Sequence, residues 1–258
     1  MIKVPVMSIY CDHFVGKMIC LSGISAFVVF LFFCFQAYAV NPAPGARIMT
    51  ITLDPGHGGE SDSGAKGPDG RLEKEITLKI AGMIASELGN RYNIILIRTD
   101  DIGLDIQERT ALANHFKSDL FISIHAGGGF IHKTKGVSIF YFKDNSQEAG
   151  KEIKSFDENA KTTVPWEKIQ NKHAKSSCDF SEIIKRNLAS AIKDGNIRTS
   201  GADYAVLEGA DMPAVLIEAG YLTNPADEKF LSEKEFTKGF VKGICLAIDE
   251  YFQNIGLQ

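Results

Sequence analysis

The sequence predicts an α/β fold, a three-layer sandwich in which helices flank a mixed, mostly parallel central sheet. Two observations carry that expectation. Short β-branched apolar runs alternate with stretches whose apolar residues recur at helical spacing, and the first run ends in the turn-forming Asp54-Pro55-Gly56. Strands alternating with amphipathic helices bury both faces of one sheet.

Taken in order, Ile48 to Leu53 reads as the first strand. Ile76, Ile80, Met83, Ile84 and Leu88 then recur with helical period, which places Glu73 in the opening turn of that helix. Tyr92 to Ile97 reads as a second strand, and Leu112, Ala113 and Phe116 mark a second helix. Leu120 to Ile124 is a strand with His125 at its end, and Val137 to Phe142 is a further apolar run. Phe180 to Ile192 reads as a helix. Tyr204 to Leu207 and Ala214 to Ile217 read as paired strands joined through residues 208–213. Phe236, Phe240, Ile244, Ile248 and Tyr251 form one face of a last helix, for which Ser232 and Glu235 fit a capping box. No internal repeat is visible.

Ahead of this pattern, Lys17 precedes an uncharged run from Met18 to Phe35 that closes near Ala37-Tyr38-Ala39, a small-x-small cleavage pattern. Residues 1–39 are therefore expected to be a signal peptide, with an uncleaved membrane anchor as the alternative because the run is near the lower length for a spanning helix. Residues 40–47 read as a linker and 48–255 as one catalytic domain, with a polar insertion at about 143–178. The formal net charge of the 258-residue chain is −4. The leader carries Lys3, Lys17 and Asp12, so its loss moves that charge only to −5. No basic face is implied, which argues against nucleic acid as a partner. Of the 5 cysteines only Cys178 and Cys245 lie beyond the leader. They allow one disulfide and make no thiolate zinc site.

Three pieces of chain carry candidate chemistry: Leu53-Asp54-Pro55-Gly56-His57-Gly58-Gly59, Glu73-Lys74-Glu75 and Ser123-Ile124-His125-Ala126. The first and third lie at strand ends, where open α/β sheets place their sites. His57, Glu73 and His125 supply two imidazoles and a carboxylate, a catalytic zinc set that leaves a fourth position for water. Each residue alone has a bland alternative. His57 fits a glycine-rich turn, and Glu73 suits the positive end of a helix. His115, inside a helix beside Phe116, reads as packed or solvated, and His132 and His173 lie in polar loops. A phosphate-loop reading fails, because Gly64 is followed by Ala65-Lys66-Gly67 and not by Lys then Ser or Thr.

Together LDPGHGG, EKE, Arg98-Thr99-Asp100-Asp101, the stretch Glu108 to Asn114, SDLFISIHA and MPAVLIEAGYLTNP resemble the zinc-dependent N-acetylmuramoyl-L-alanine amidases of bacterial cell walls, of the amidase_3 type. The resemblance runs in order from about Met49 to Leu231. It implies a phosphorylase/hydrolase-like sandwich, one Zn2+ per chain on His57, Glu73 and His125, and Glu218 as the catalytic glutamate. It also implies peptidoglycan as substrate, cleaved between N-acetylmuramic acid and the L-alanine of the stem peptide by a monomer in the periplasm or cell envelope. Glu218 ends an apolar strand, so desolvation is expected to raise its pKa and suit it to proton transfer. Arg109 and Asn114 are expected to hold loops near the site.

The chain departs from the family pattern twice. The usual SIHAN continues here as Ala126-Gly127-Gly128-Gly129, without the Asn. The interval Lys143 to Cys178 is longer than a simple connection and holds Pro165-Trp166. Some Gram-negative members carry an insertion hereabouts that covers the zinc until a partner removes it. The interval is accordingly expected to be either a lid displaced by an activator protein or a solvated loop. A zinc peptidase or deacylase on another exported amide, and a silent wall-binding regulator, are the competing functions.

Overall fold

The computed structural model describes residues 47–129, 133–143, 166–192 and 196–256. The elements, in chain order, are β1 (Thr50–Pro55), α1 (Glu73–Leu88), β2 (Asn93–Leu96), α2 (Ile106–His115), β3 (Leu120–His125), β4 (Val137–Phe142), a 3-10 helix (Trp166–His173), α3 (Ala174–Ala191), β5 (Ile197–Ala202), α4 (Ala205–Glu208), β6 (Ala214–Glu218), α5 (Pro225–Ser232) and α6 (Lys234–Gly256). The strands form one sheet in the order β2-β1-β3-β6-β4-β5. All neighbouring pairs run parallel except β4 against β6.

Side-chain alternation along each strand sorts residues between two cores. Ile51, Leu53, Ile122, Ile124, Val215 and Ile217 face a core closed by α1, α3 and α6 through Ile84, Phe180, Ile184, Phe240 and Ile244. The intervening Phe121, Ala214 and Leu216 face the opposite layer, where Val206, Leu207 and Met212 cover them. Each fully buried large apolar side chain contributes about 1.5–3 kcal/mol, so a one-residue register slip in a central strand would invert several such terms at once.

Two expectations are corrected. Tyr204 to Leu207 is not a strand: residues 205–208 form one helical turn, and the strand near this point is the earlier β5. Val206 and Leu207 are both buried in the same cluster, which adjacent residues of a strand, pointing to opposite faces, would not be. β5 (Ile-Arg-Thr-Ser-Gly-Ala) is a half-exposed edge strand lacking the apolar alternation that would reveal it. Ser232 does not cap α6. It ends α5, where its hydroxyl donates to the Glu228 carbonyl at 2.6 Å. Helix α5 itself was not foreseen, although Asn224 caps it by accepting from the Ala226 N–H at 3.0 Å and Pro225 opens it.

The leader and most of the linker fall on residues 1–46, outside the described residues. No helix among the described residues is long and apolar enough to cross a membrane. Of the polar interval, residues 144–165 also lie outside, so the expected lid or solvated loop falls on residues that are not described. Its described end is well anchored. Gln170 is fully buried and donates to the Ala210 and Met212 carbonyls, each at 2.8 Å. Ser177 donates to Gln170 Oε1 at 2.9 Å. Both described cysteines, Cys178 and Cys245, are free thiols.

Candidate active site

From β1 the chain crosses to β2 on one side, then returns past β1 to β3 on the other. This reversal opens a crevice at the carboxyl ends of β1 and β3. His57 lies two residues beyond the end of β1, and His125 is the last residue of β3.

His57 has φ 63°, a left-handed conformation of the kind that costs a non-glycine residue of order 1 kcal/mol or more and persists only where its surroundings enforce it. They do so through the carbonyls of its turn. Buried Arg98 donates from Nε to Pro55 O at 2.9 Å and from Nη2 to Gly56 O at 3.0 Å. Thr77 Oγ1 donates to Gly56 O at 2.9 Å. Arg109 Nη2 reaches His57 O at 3.3 Å, while its Nη1 donates to the fully buried Asp54 carboxylate at 2.7 Å. Ser123 satisfies the other Asp54 oxygen at 2.7 Å. The expected loop-holding role of Arg109 is thus seen directly. Asn114 acts likewise on the connection after α4, pairing with Gly209 O and Asp211 N, each at 2.8 Å.

Glu73 opens α1 and is 2% exposed. Its two oxygens accept from Ala65 N at 2.8 Å and Ala126 N at 3.0 Å, which aims the carboxylate between the imidazoles. Glu73 Oε2 lies 3.2 Å from His57 Nε2, and Oε1 lies 3.0 Å from His125 Nδ1. Two glycines permit this closeness. A Cβ at Gly56 would lie 2.4–2.7 Å from the His125 ring, and one at Gly64 would lie 2.6–2.7 Å from His57 and Glu73.

The charges respond to one another. Burial pulls the His57 pKa down, but hydrogen bonds and charge from Glu73 and Asp62 outweigh it and raise the imidazole to about 9. His125 is raised for the same reason, against its own burial, chiefly by Glu73. Burial alone would raise the Glu73 carboxyl, yet its hydrogen bonds to His125 and His57 hold it well below the usual range. The site strongly favours positive charge.

Glu218 ends β6 and is paired in register with His125. Burial pushes its carboxyl up to about 7, with the Glu73 charge adding to the effect and His125 and the Gly127 N–H opposing it. Its Oε2 is buried and, among the described residues, without a hydrogen-bond partner. A Cβ at Gly127 would lie 2.8 Å from that oxygen, so glycine at this position leaves the carboxylate its room. His57, His125 and Glu218 share a cavity of about 280 Å³ that Leu104, Ile106, Val206 and Leu216 also line, together with Asp62, Arg109 and Tyr204.

The donor set suits a zinc ion. One donor atom each from His57, Glu73 and His125 lie within 4.8 Å of one another. Tetrahedral donors about 2.1 Å from an ion stand about 3.4 Å apart, close to the imidazole–carboxylate separations here. Sequence reasoning named these residues and Glu218. Asp54 and Arg98 stood inside quoted motifs without a role, which their contacts with Arg109 and the Gly56 carbonyl, 55 and 42 residues away, supply; Asp62, five residues from His57, was not singled out.

Two imidazoles around one buried carboxylate, with a desolvated glutamate one strand away, define a metallohydrolase type of site on an α/β sheet. The match to known families makes this particular. The chain belongs to the amidase_3 family, described as N-acetylmuramoyl-L-alanine amidase, which matches residues 51–250. It is 29% identical over 226 residues to the N-acetylmuramoyl-L-alanine amidase AmiA of Escherichia coli K12, covering 81% of this chain and 77% of that protein. Identity to AmiC of Neisseria meningitidis serogroup B is 28% over 235 residues, covering 83% of this chain but only 56% of that longer protein. The solved N-acetylmuramoyl-L-alanine amidase AmiC2 of Nostoc punctiforme superposes with a TM-score of 0.64 at 25% identity, over 81% of this chain and 99% of that one.

Proposed function

We propose that this chain is a zinc-dependent peptidoglycan amidase of the cell envelope, hydrolysing the bond between the lactyl group of N-acetylmuramic acid and the L-alanine of the stem peptide. The observation that carries this reading is the Glu73 carboxylate held between His57 Nε2 and His125 Nδ1, with a Glu218 oxygen beside them that has no partner among the described residues. His57, Glu73 and His125 would hold the zinc, which when bound polarises the amide carbonyl and acidifies water.

The remaining steps belong to the chain's own groups. Glu218 accepts a proton from the attacking water as its oxygen adds to the carbonyl carbon. It then delivers that proton to the nitrogen as the C–N bond breaks, releasing a carboxylic acid and an amine. Burial, which raises its carboxyl above the ordinary range, suits it to both directions of transfer. An exported enzyme would meet this substrate, which agrees with a leader over residues 1–39.

Purified protein incubated with sacculi, with and without a chelator, tests the proposal. Mass analysis should find stem peptides beginning with L-alanine and glycan strands freed of peptide. Chelation should abolish the release and zinc restore it. Chelator-insensitive lysis, or cleavage of a different bond, refutes it.

A further inference from the structure

His57 is gripped at both ring nitrogens. Nε2 faces the Glu73 carboxylate at 3.2 Å, and Nδ1 lies 2.6 Å from Asp62 Oδ1. Asp62 bonds the ring edge turned away from Glu73 and His125, and it is not among the three converging donors. The loop around it is closed by two further contacts: the Gly58 N–H donates to Asp62 O at 2.9 Å, and the Gly64 N–H to Asp62 Oδ1 at 3.3 Å.

The two imidazoles differ in how they are fixed. His125 is wedged by backbone, since the Gly56 main chain lies against its ring so closely that no Cβ fits. The His57 side chain is more open, 26% exposed against 18%, and the Asp62 carboxylate is its strongest side-chain contact on the Nδ1 edge. A carboxylate that accepts from Nδ1–H selects the tautomer whose Nε2 lone pair points away from it, and it makes that lone pair more basic.

We infer that Asp62 is a positioning residue for the metal centre, orienting the His57 ring and fixing its tautomer so that Nε2 is presented to the ion. The inference rests on the proposed zinc reading of His57, Glu73 and His125. Asp62 is half exposed, so as a mere surface pair it would contribute little to stability, and removing it leaves the fold available for testing.

The test compares the parent chain with Asp62→Ala and Asp62→Asn, with His57→Ala as control. Zinc affinity is read by competition with a chromophoric chelator, and the His57 ring by long-range 1H–15N correlation on histidine-labelled protein. Asp62→Ala should bind zinc about 10- to 100-fold more weakly and lose the low-field His57 Nδ1–H signal. Asp62→Asn, which keeps an acceptor oxygen, should restore part of both. Thermal unfolding of chelator-treated protein should be nearly the same in all three. Parental zinc affinity together with an unchanged Nδ1–H signal in Asp62→Ala overturns the inference. A parent chain that binds no zinc overturns the metal reading instead, and the ring signal still decides whether Asp62 orients His57.

Discussion

Glu218→Gln separates the two things that a buried carboxylate does. In the folded chain its carboxyl stands at about 7, above the ordinary 4.5. At about 1.4 kcal/mol per pKa unit, the ionised group therefore costs the native state about 3 kcal/mol. Below the unfolded value both states are protonated and the cost is absent. Between the two values the unfolded chain has lost its proton while the folded chain keeps it, so stability falls as pH rises. Above about 7 the deficit is complete. Glutamine is uncharged throughout. Urea unfolding of chelator-treated protein should therefore give Glu218→Gln an advantage over the parent that grows by about 3 kcal/mol between about pH 4 and pH 8. The same variant should lose about 10²- to 10⁴-fold in amide hydrolysis, the usual worth of a general acid/base. A stability difference that is flat with pH refutes the desolvated carboxyl, and undiminished hydrolysis refutes its role in proton transfer.

Other outcomes follow from the same contacts. Arg109→Ala should cost about 3–5 kcal/mol in urea unfolding, because it strands the buried Asp54 charge. Gly64→Ala places a Cβ 2.6–2.7 Å from His57 and Glu73 at a φ of 66°; chelator competition should show weakened zinc binding while circular dichroism stays that of the parent. Gly209→Ala drives a Cβ to 2.0 Å from the Trp166 ring. Since Trp166 is the only tryptophan, its fluorescence should shift to the red as the 3-10 helix is displaced. Gln170→Ala leaves the Ala210 and Met212 carbonyls without their donor and should cost about 1–3 kcal/mol per unsatisfied group, measured by thermal unfolding.

Much of the scaffold is legible from periodicity because burial is one-sided. Ile80, Ile84 and Leu88 recur every four residues since α1 turns one stripe to the sheet, and Leu120 to Ile124 is continuously apolar because β3 is covered on both faces. The same logic fails where an element lacks a buried face. β5 at the sheet edge shows no alternation, and the short apolar run at Tyr204 fits a strand and a helical turn equally well until its neighbours are known. The metal-ligand candidates were legible because imidazole, carboxylate and glycine in short strand-end segments are chemically distinctive. The roles of Asp54, Arg98 and Asp62 were not, since Asp and Arg are ordinary surface residues unless the fold buries or aims them.

By itself the sequence determined which residues have the chemistry for a metal site, two imidazoles and a first-turn glutamate, because hydrophobic periodicity locates strand ends and strand ends locate sites; Glu218 was added by the family resemblance of the motif that holds it. Only the tertiary structure decided that His57, Glu73 and His125 converge within 4.8 Å, that Glu218 lies in register beside His125, and that Asp62 and Arg109 hold the His57 turn from either side. The physical reason is that sheet order and register bring together residues remote in sequence. Most of the charge, desolvation and hydrogen bonds that tune these groups come from such remote neighbours, Asp62 beside His57 being the local exception.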